Sequence, residues 1–161
     1  MKFALTAALL LTSVAYADTY SYQGNPFTTG TISGTVSGSF TISGELESNL
    51  NEEFVFPSSW SFTDGTRTIS SSALQDLFFM EVTTNALGQI TGWVLEAEAP
   101  EEDIESLSGV GDSTGTAFSY GRNTSTGTWT DVSAVPEPSS LAMLGTGLLG
   151  VGGILKRRLI A

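Results

Sequence analysis

Thr31-Ile32-Ser33-Gly34-Thr35-Val36-Ser37-Gly38-Ser39-Phe40-Thr41-Ile42-Ser43-Gly44-Glu45-Leu46 alternates almost completely. The apolar residues Ile32, Val36, Phe40, Ile42 and Leu46 all take even positions, with Gly34, Gly38 and Gly44 between them. The odd positions from Thr31 to Ser43 are all hydroxylic. A period of two over this length predicts one or two half-buried β-strands, and the glycines mark bulges or close backbone approach. One face of the strand is apolar. The other is a row of Ser and Thr, suited to polysaccharide, or even ice, through hydroxyl contacts and ordered water, although Thr is in any case a good strand former.

The same pattern recurs further along the chain. Trp60-Ser61-Phe62 and residues 66–70 flank Asp64-Gly65, a hairpin turn dipeptide. Residues 78–83 and 90–95 flank Asn85-Ala86-Leu87-Gly88, which predicts a second hairpin. Phe118-Ser119-Tyr120 and Thr128-Trp129-Thr130 are expected to form a last one around residues 121–127. Residues 71–76 are the one short helix expected. Short strands joined by glycine and Asn/Asp turns predict an all-β fold, an antiparallel β-sandwich or partly open barrel. Trp60, Trp93 and Trp129 are expected in its core; exposed, they would be sugar-stacking platforms. Asn123-Thr124-Ser125 fits a glycosylation acceptor and is read as a turn.

Composition narrows the chemistry. The chain has 161 residues with no histidine and no cysteine, so Ser-His-Asp and Cys-His catalysis and thiolate or imidazole metal sites are excluded. No glycine-rich phosphate loop with a lysine is present. Between the two ends, sixteen acids face only Arg67 and Arg122, leaving that region about 14 units negative. Such a surface argues against nucleic acid or anionic lipid as partners. The densest acids are Glu96, Glu98, Glu101, Glu102, Asp103 and Glu105. They read as a solvated loop that keeps an edge strand from pairing. In the alternative reading they hold calcium, with Glu101, Glu102 and Asp103 as ligands where Pro100 bends the chain. No other cofactor is expected. Carboxylate-dependent hydrolysis needs only two acids near in space, and the sequence singles out no pair.

Both ends carry addresses. Lys2 supplies a positive start, residues 3–14 an apolar run, and Ala15-Tyr16-Ala17 the small residues a signal peptidase reads, so cleavage is expected before Asp18. Near the other end, Val135-Pro136-Glu137-Pro138-Ser139-Ser140 precedes an apolar run over 141–155 and a basic stop, Lys156-Arg157-Arg158. That run is shorter than the ~20 residues usual for a transmembrane helix, and its glycines suit a membrane better than water. The positive-inside bias keeps the basic cluster cytoplasmic and places residues 18–135 outside. Two prolines hold the segment around Glu137 extended, the form a peptidase cleft binds. The expected organisation is a signal peptide (1–17), a β-rich ectodomain (18–134) and a tail (135–161).

The order and spacing of this tail, with the Gly-Leu-Leu-Gly core at 147–150, resemble the PEP-CTERM sorting domain of Gram-negative bacteria. Lys156 stands where many members have a third arginine, and the positive charge is kept. The resemblance implies recognition by an exosortase, a membrane-embedded cysteine protease or transpeptidase. That enzyme would cut near Val135, Pro136, Glu137 and Pro138 and release or transfer the ectodomain to the cell surface or beyond. It also implies an association with exopolysaccharide and biofilm. The tail follows many unrelated domains and carries no activity with it. Several ectodomain phrases, among them Gly38-Ser39-Phe40-Thr41 and Phe62-Thr63-Asp64-Gly65, also resemble sequences that precede this tail in small exported proteins with no assigned activity.

The functional expectation is an exported, non-catalytic surface or extracellular matrix protein, held briefly in the membrane by its tail. Its expected partners are signal peptidase, an exosortase and extracellular polysaccharide. Two alternatives stand beside it: a carbohydrate-binding module, and a secreted carboxylate-dependent hydrolase.

Overall fold

The computed structural model of the chain describes residues 17–132. The described residues form β1 (Ala17–Pro26), β2 (Thr29–Gly30), β3 (Thr35–Ser43), β4 (Glu53–Phe54), β5 (Ser59–Thr63), β6 (Thr68–Ser70), β7 (Leu77–Thr84), β8 (Ile90–Ala99), β9 (Glu102–Leu107), β10 (Gly111–Gly115), β11 (Tyr120–Arg122) and β12 (Thr128–Asp131), with no helix among them. One sheet has the order β12-β1-β3-β5-β6 and the other β2-β11-β10-β9-β8-β7-β4. All strand pairs are antiparallel. The fold is a sandwich, as the alternation predicts; it is not a closed barrel.

Period two does the work of the core. Tyr20, Tyr22, Val36, Phe40, Phe62 and Ile69 point inward from the first sheet, and Met80, Val82, Trp93, Leu95, Ala97 and Ile104 from the second. Aromatic rings close the gap between the layers. Tyr22 meets Trp93 edge-on at 5.7 Å, and Phe78 lies 4.9 Å from Trp60 and 5.7 Å from Phe62. Trp129 packs against Tyr22 at 5.0 Å and Phe40 at 5.3 Å. Trp93 is buried, and Trp60 and Trp129 pack against the same cluster, so none of the three is an exposed platform. Gly38 is needed for its missing side chain: a Cβ there would lie 2.2 Å from the Ser61 carbonyl oxygen of β5, the antiparallel neighbour of β3.

The two hairpins anticipated at Asp64-Gly65 and at residues 85–88 are present as β5–β6 and β7–β8. Three expectations are corrected. Residues 71–76 form turns rather than a helix, tied to β5 by the Ser71 amide on the Trp60 carbonyl (3.0 Å). Residues 118–130 do not make a hairpin: β11 pairs with β10 and β2, while β12 crosses to the other sheet and pairs with β1. Like-parity strands separated by a glycine-rich stretch look local in sequence, but Trp129 is drawn to the aromatic core of the opposite layer. The acidic stretch is no loop guarding an edge. It is the β8–β9 hairpin, interior to the seven-stranded sheet.

Candidate functional site

The outward face of the five-stranded sheet is the most regular surface among the described residues. The registers place Thr130, Ser21, Ser39, Ser61 and Ser70 in one row across all five strands. Thr128, Gln23, Ser37, Thr63 and Thr68 form a second row. Thr19, Thr41 and Ser59 form a third across the inner three strands. Twelve of these thirteen positions are Ser or Thr, and none is charged or aromatic. Strand geometry sets rows about 7 Å apart and neighbours within a row about 4.8 Å apart. Some of these groups are fixed by a neighbour: the Thr19 and Thr41 hydroxyls bond to each other at 2.9 Å, and Gln23 Nε2 donates to Thr35 Oγ1 at 3.0 Å. Short side chains lose little rotamer entropy when a ligand orders them. The array therefore presents paired donors and acceptors, nearly prepaid in entropy, to an uncharged polar surface.

Beneath this face a buried polar network ties the two sheets together. Tyr22 donates to Asp112 Oδ1 (2.6 Å) and accepts from the Gly127 amide (2.9 Å). Ser106 donates to the same carboxylate oxygen (2.7 Å) and accepts from Trp93 Nε1 (2.9 Å). Asn123 Nδ2 donates to Asp112 Oδ2 (3.0 Å) and to the Asn25 carbonyl (2.8 Å), while its Oδ1 accepts from the Asp112 amide (2.9 Å). Burial, and then the Asp112 carboxylate beside it, push the Tyr22 phenol well above its ordinary value. Asn123 is 2 % exposed, so in the folded domain the Asn123-Thr124-Ser125 sequence is a structural turn rather than an accessible glycan acceptor.

The opposite surface has the reverse character. On the outward side of β8 and β9, Glu96 stands directly across from Glu105, and Glu98 across from Asp103. Burial and then Glu98 raise the Glu96 carboxyl, and burial and then Glu105 raise Asp103. Glu102 faces the interior instead, 3.5 Å from Arg67 Nη1, and is raised by burial and then by the charge of Asp64. Asp64 accepts from the Thr66 and Arg67 amides at 2.7 and 2.8 Å, which shapes the β5–β6 turn. Of the three residues named for calcium, Glu101 sits exposed in the turn, Glu102 points in and Asp103 points out. All three border one open hollow beside Glu98, but they face different ways, and among the described residues no three acids are gathered as a metal would need.

A cleft of about 490 Å³ opens at the end of the sandwich where β1 begins and β12 finishes. Tyr20, Glu45, Gln89, Trp129, Thr130 and Asp131 are among its lining residues. The first and last strands leave the domain here side by side, with the Val132 amide bonded to the Thr19 carbonyl at 2.8 Å. Ala17, half of the expected signal-peptidase site, opens β1. Ala15, the motif Val135-Pro136-Glu137-Pro138, the apolar run and the basic stop Lys156-Arg157-Arg158 lie outside the described residues.

The strip of hydroxyls along β3 was visible in the sequence; the registers that carry it across five strands were not. The Tyr22–Asp112 network was not visible either.

No curated protein and no solved structure matches the chain. The family model of the PEP-CTERM protein-sorting motif matches residues 134–158, which include the proline motif and the basic stop. That motif implies export, C-terminal anchoring before cleavage and processing by an exosortase. The described β-sandwich therefore precedes, in sequence, a tail that carries the PEP-CTERM protein-sorting motif over residues 134–158.

Proposed function

We propose that the ectodomain is a non-catalytic surface or matrix protein that adheres, through the hydroxyl face of the five-stranded sheet, to neutral extracellular polysaccharide. The observation that carries this reading is the three-row Ser/Thr array, free of charge and of rings. A polyhydroxyl chain laid on it exchanges water contacts for direct or water-bridged hydrogen bonds at many points, each weak and the sum multivalent. The acidic opposite face repels anionic polymers and keeps the bound molecule soluble. Signal peptidase and an exosortase mature the protein on its way to the exopolysaccharide of the cell surface.

The test is a pull-down of the mature protein on an insoluble neutral β-glucan, with alginate as the anionic arm. Wild type is expected on the β-glucan and not on alginate. Ser39→Glu, at the centre of the array, is expected to reduce retention about tenfold, the scale of losing one to two kcal/mol of contacts, with an unchanged melting temperature. Retention of Ser39→Glu at the wild-type level would remove the face from the reading. Release of new reducing ends, abolished by Glu45→Gln in the cleft, would replace it with the hydrolase alternative.

A further inference from the structure

Glu53-Phe54-Val55-Phe56 alternates like the core strands, but carries apolar residues on both sides. Val55 takes the inward side and is buried. Phe54 and Phe56 are left facing out, 54 % and 86 % exposed, where packing of the core has no need of a ring. Phe54 stands beside Glu81 of β7, and its ring meets that of Phe79 at 85° with centroids 5.3 Å apart. Phe56 lies 6.5 Å from Phe54. The three exposed rings make one corner of the seven-stranded sheet, at its β4 edge. Contiguous apolar surface rimmed by polar groups marks an interaction site, where singly scattered apolar residues do not.

The acids around the corner decide what fits it. Phe79 is directly opposite Glu96 on β8, and Glu81 is opposite Val94. Where Gly92 carries no side chain the surface dips into a hollow of about 110 Å³, bordered by Glu52, Glu81, Val94 and Ser108. Glu52 reaches it from a left-handed backbone (φ 54°), uncommon for a residue with a side chain, and its amide is held by Thr83 Oγ1 at 3.2 Å. Among the described residues no cation is paired with these acids: Arg67 lies against Glu102, and Arg122 is on β11, toward the other edge of the sheet. The hollow has about the room of a few waters, which suits the head of one Lys or Arg side chain. Ring faces beside it add cation–π attraction. A neutral sugar leaves the carboxylates unanswered, and a second copy of the chain brings acids against acids.

We propose that this corner binds an extended basic segment of a partner protein, with a Lys or Arg head in the hollow and a large apolar side chain on the Phe54 and Phe79 rings. The spacing follows from β7. From Glu81, level with Phe54, to Thr83 at the hollow is two residues, about 7 Å, and from Phe79 it is four, about 13 Å. Residues two and four apart share one face of an extended chain, so the partner's cation and apolar residue stand two or four positions apart. The corner lies on the sheet opposite the hydroxyl face and does not depend on polysaccharide binding.

The test is fluorescence anisotropy of the exported protein with a labelled peptide of repeating Arg-Ser-Leu-Ser, which keeps Arg and Leu on one face. Binding is expected to be about tenfold tighter than for a peptide of the same composition with Arg and Leu at adjacent positions, and to weaken as salt rises. Phe54→Ser and Glu81→Gln are each expected to weaken it about five- to tenfold at an unchanged melting temperature, since neither side chain belongs to the core. Ser39→Glu, on the other sheet, is expected to leave it as it is. Equal binding of the two peptides, or of wild type and Phe54→Ser, would reduce the corner to general acidity and overturn the proposal. Self-association or β-glucan retention that is lost in Phe54→Ser would also overturn it, by giving the rings to a second copy or to sugar.

Discussion

At Tyr22 the ring and the hydroxyl serve different neighbours. The ring lies between Trp93 and Trp129, and the hydroxyl links Asp112 to the Gly127 amide. Tyr22→Phe keeps the packing, takes one of two donors from Asp112 Oδ1 and leaves the Gly127 amide without its acceptor, in a site 1 % exposed. The expected cost is about 1–3 kcal/mol, the penalty of leaving buried polar groups unmade, read from the urea midpoint at unchanged slope. None of this was legible in the sequence. Tyr22 and Asp112 are ninety positions apart, and nothing local marks a phenol as the partner of a particular carboxylate. Gly38 is the contrary case. Its place within an alternating run already announced that something passes close, and the Ser61 carbonyl does.

At the scale of elements, the β8–β9 hairpin holds like charges directly opposite, where cross-strand pairs of one sign oppose folding. The raised carboxyls of Glu96, Asp103 and Glu102 give this a pH dependence. Because their folded-state values stand above the unfolded ones, the folded domain keeps protons that the unfolded chain has released. Their contribution is full below the unfolded carboxyl value and is lost as pH rises through the raised values. The melting temperature of the mature protein is accordingly expected to fall as pH is raised from the ordinary carboxyl range toward neutrality. Glu98→Gln is expected to flatten that slope and to add about 0.3 kcal/mol at neutral pH, after solvent screening of an exposed pair. Elements were the scale at which the sequence spoke most clearly. Period two located β3, and the turn residues located the β5–β6 and β7–β8 hairpins. The partner of β12 was not legible, since local alternation fixes which side of a strand is apolar and says nothing about which strand lies beside it.

Seen whole, the molecule has two unlike surfaces: a neutral hydroxyl sheet on one side and an acidic sheet on the other. The sequence displayed the strip of the neutral surface that runs along β3, but its breadth depends on registers between residues as far apart as Ser21 and Thr130. The tail motif, read along one contiguous stretch, was fully legible for the opposite reason. The pairing of β1 with β12 has one more consequence. Because the first and last strands are neighbours, with Thr19 and Val132 in hydrogen-bond contact, the ectodomain is in effect a ring of chain with a single nick. Where the nick lies is then a matter of connectivity and not of packing. A circular permutant that joins residue 132 to residue 18 by a short linker and opens the exposed turn at 86–88 should fold to the same sandwich, as tolerated for domains with adjacent ends. Matching circular dichroism and a cooperative melt are the expected readings, and an unfolded permutant would show that the order of synthesis, rather than the set of contacts, selects this fold.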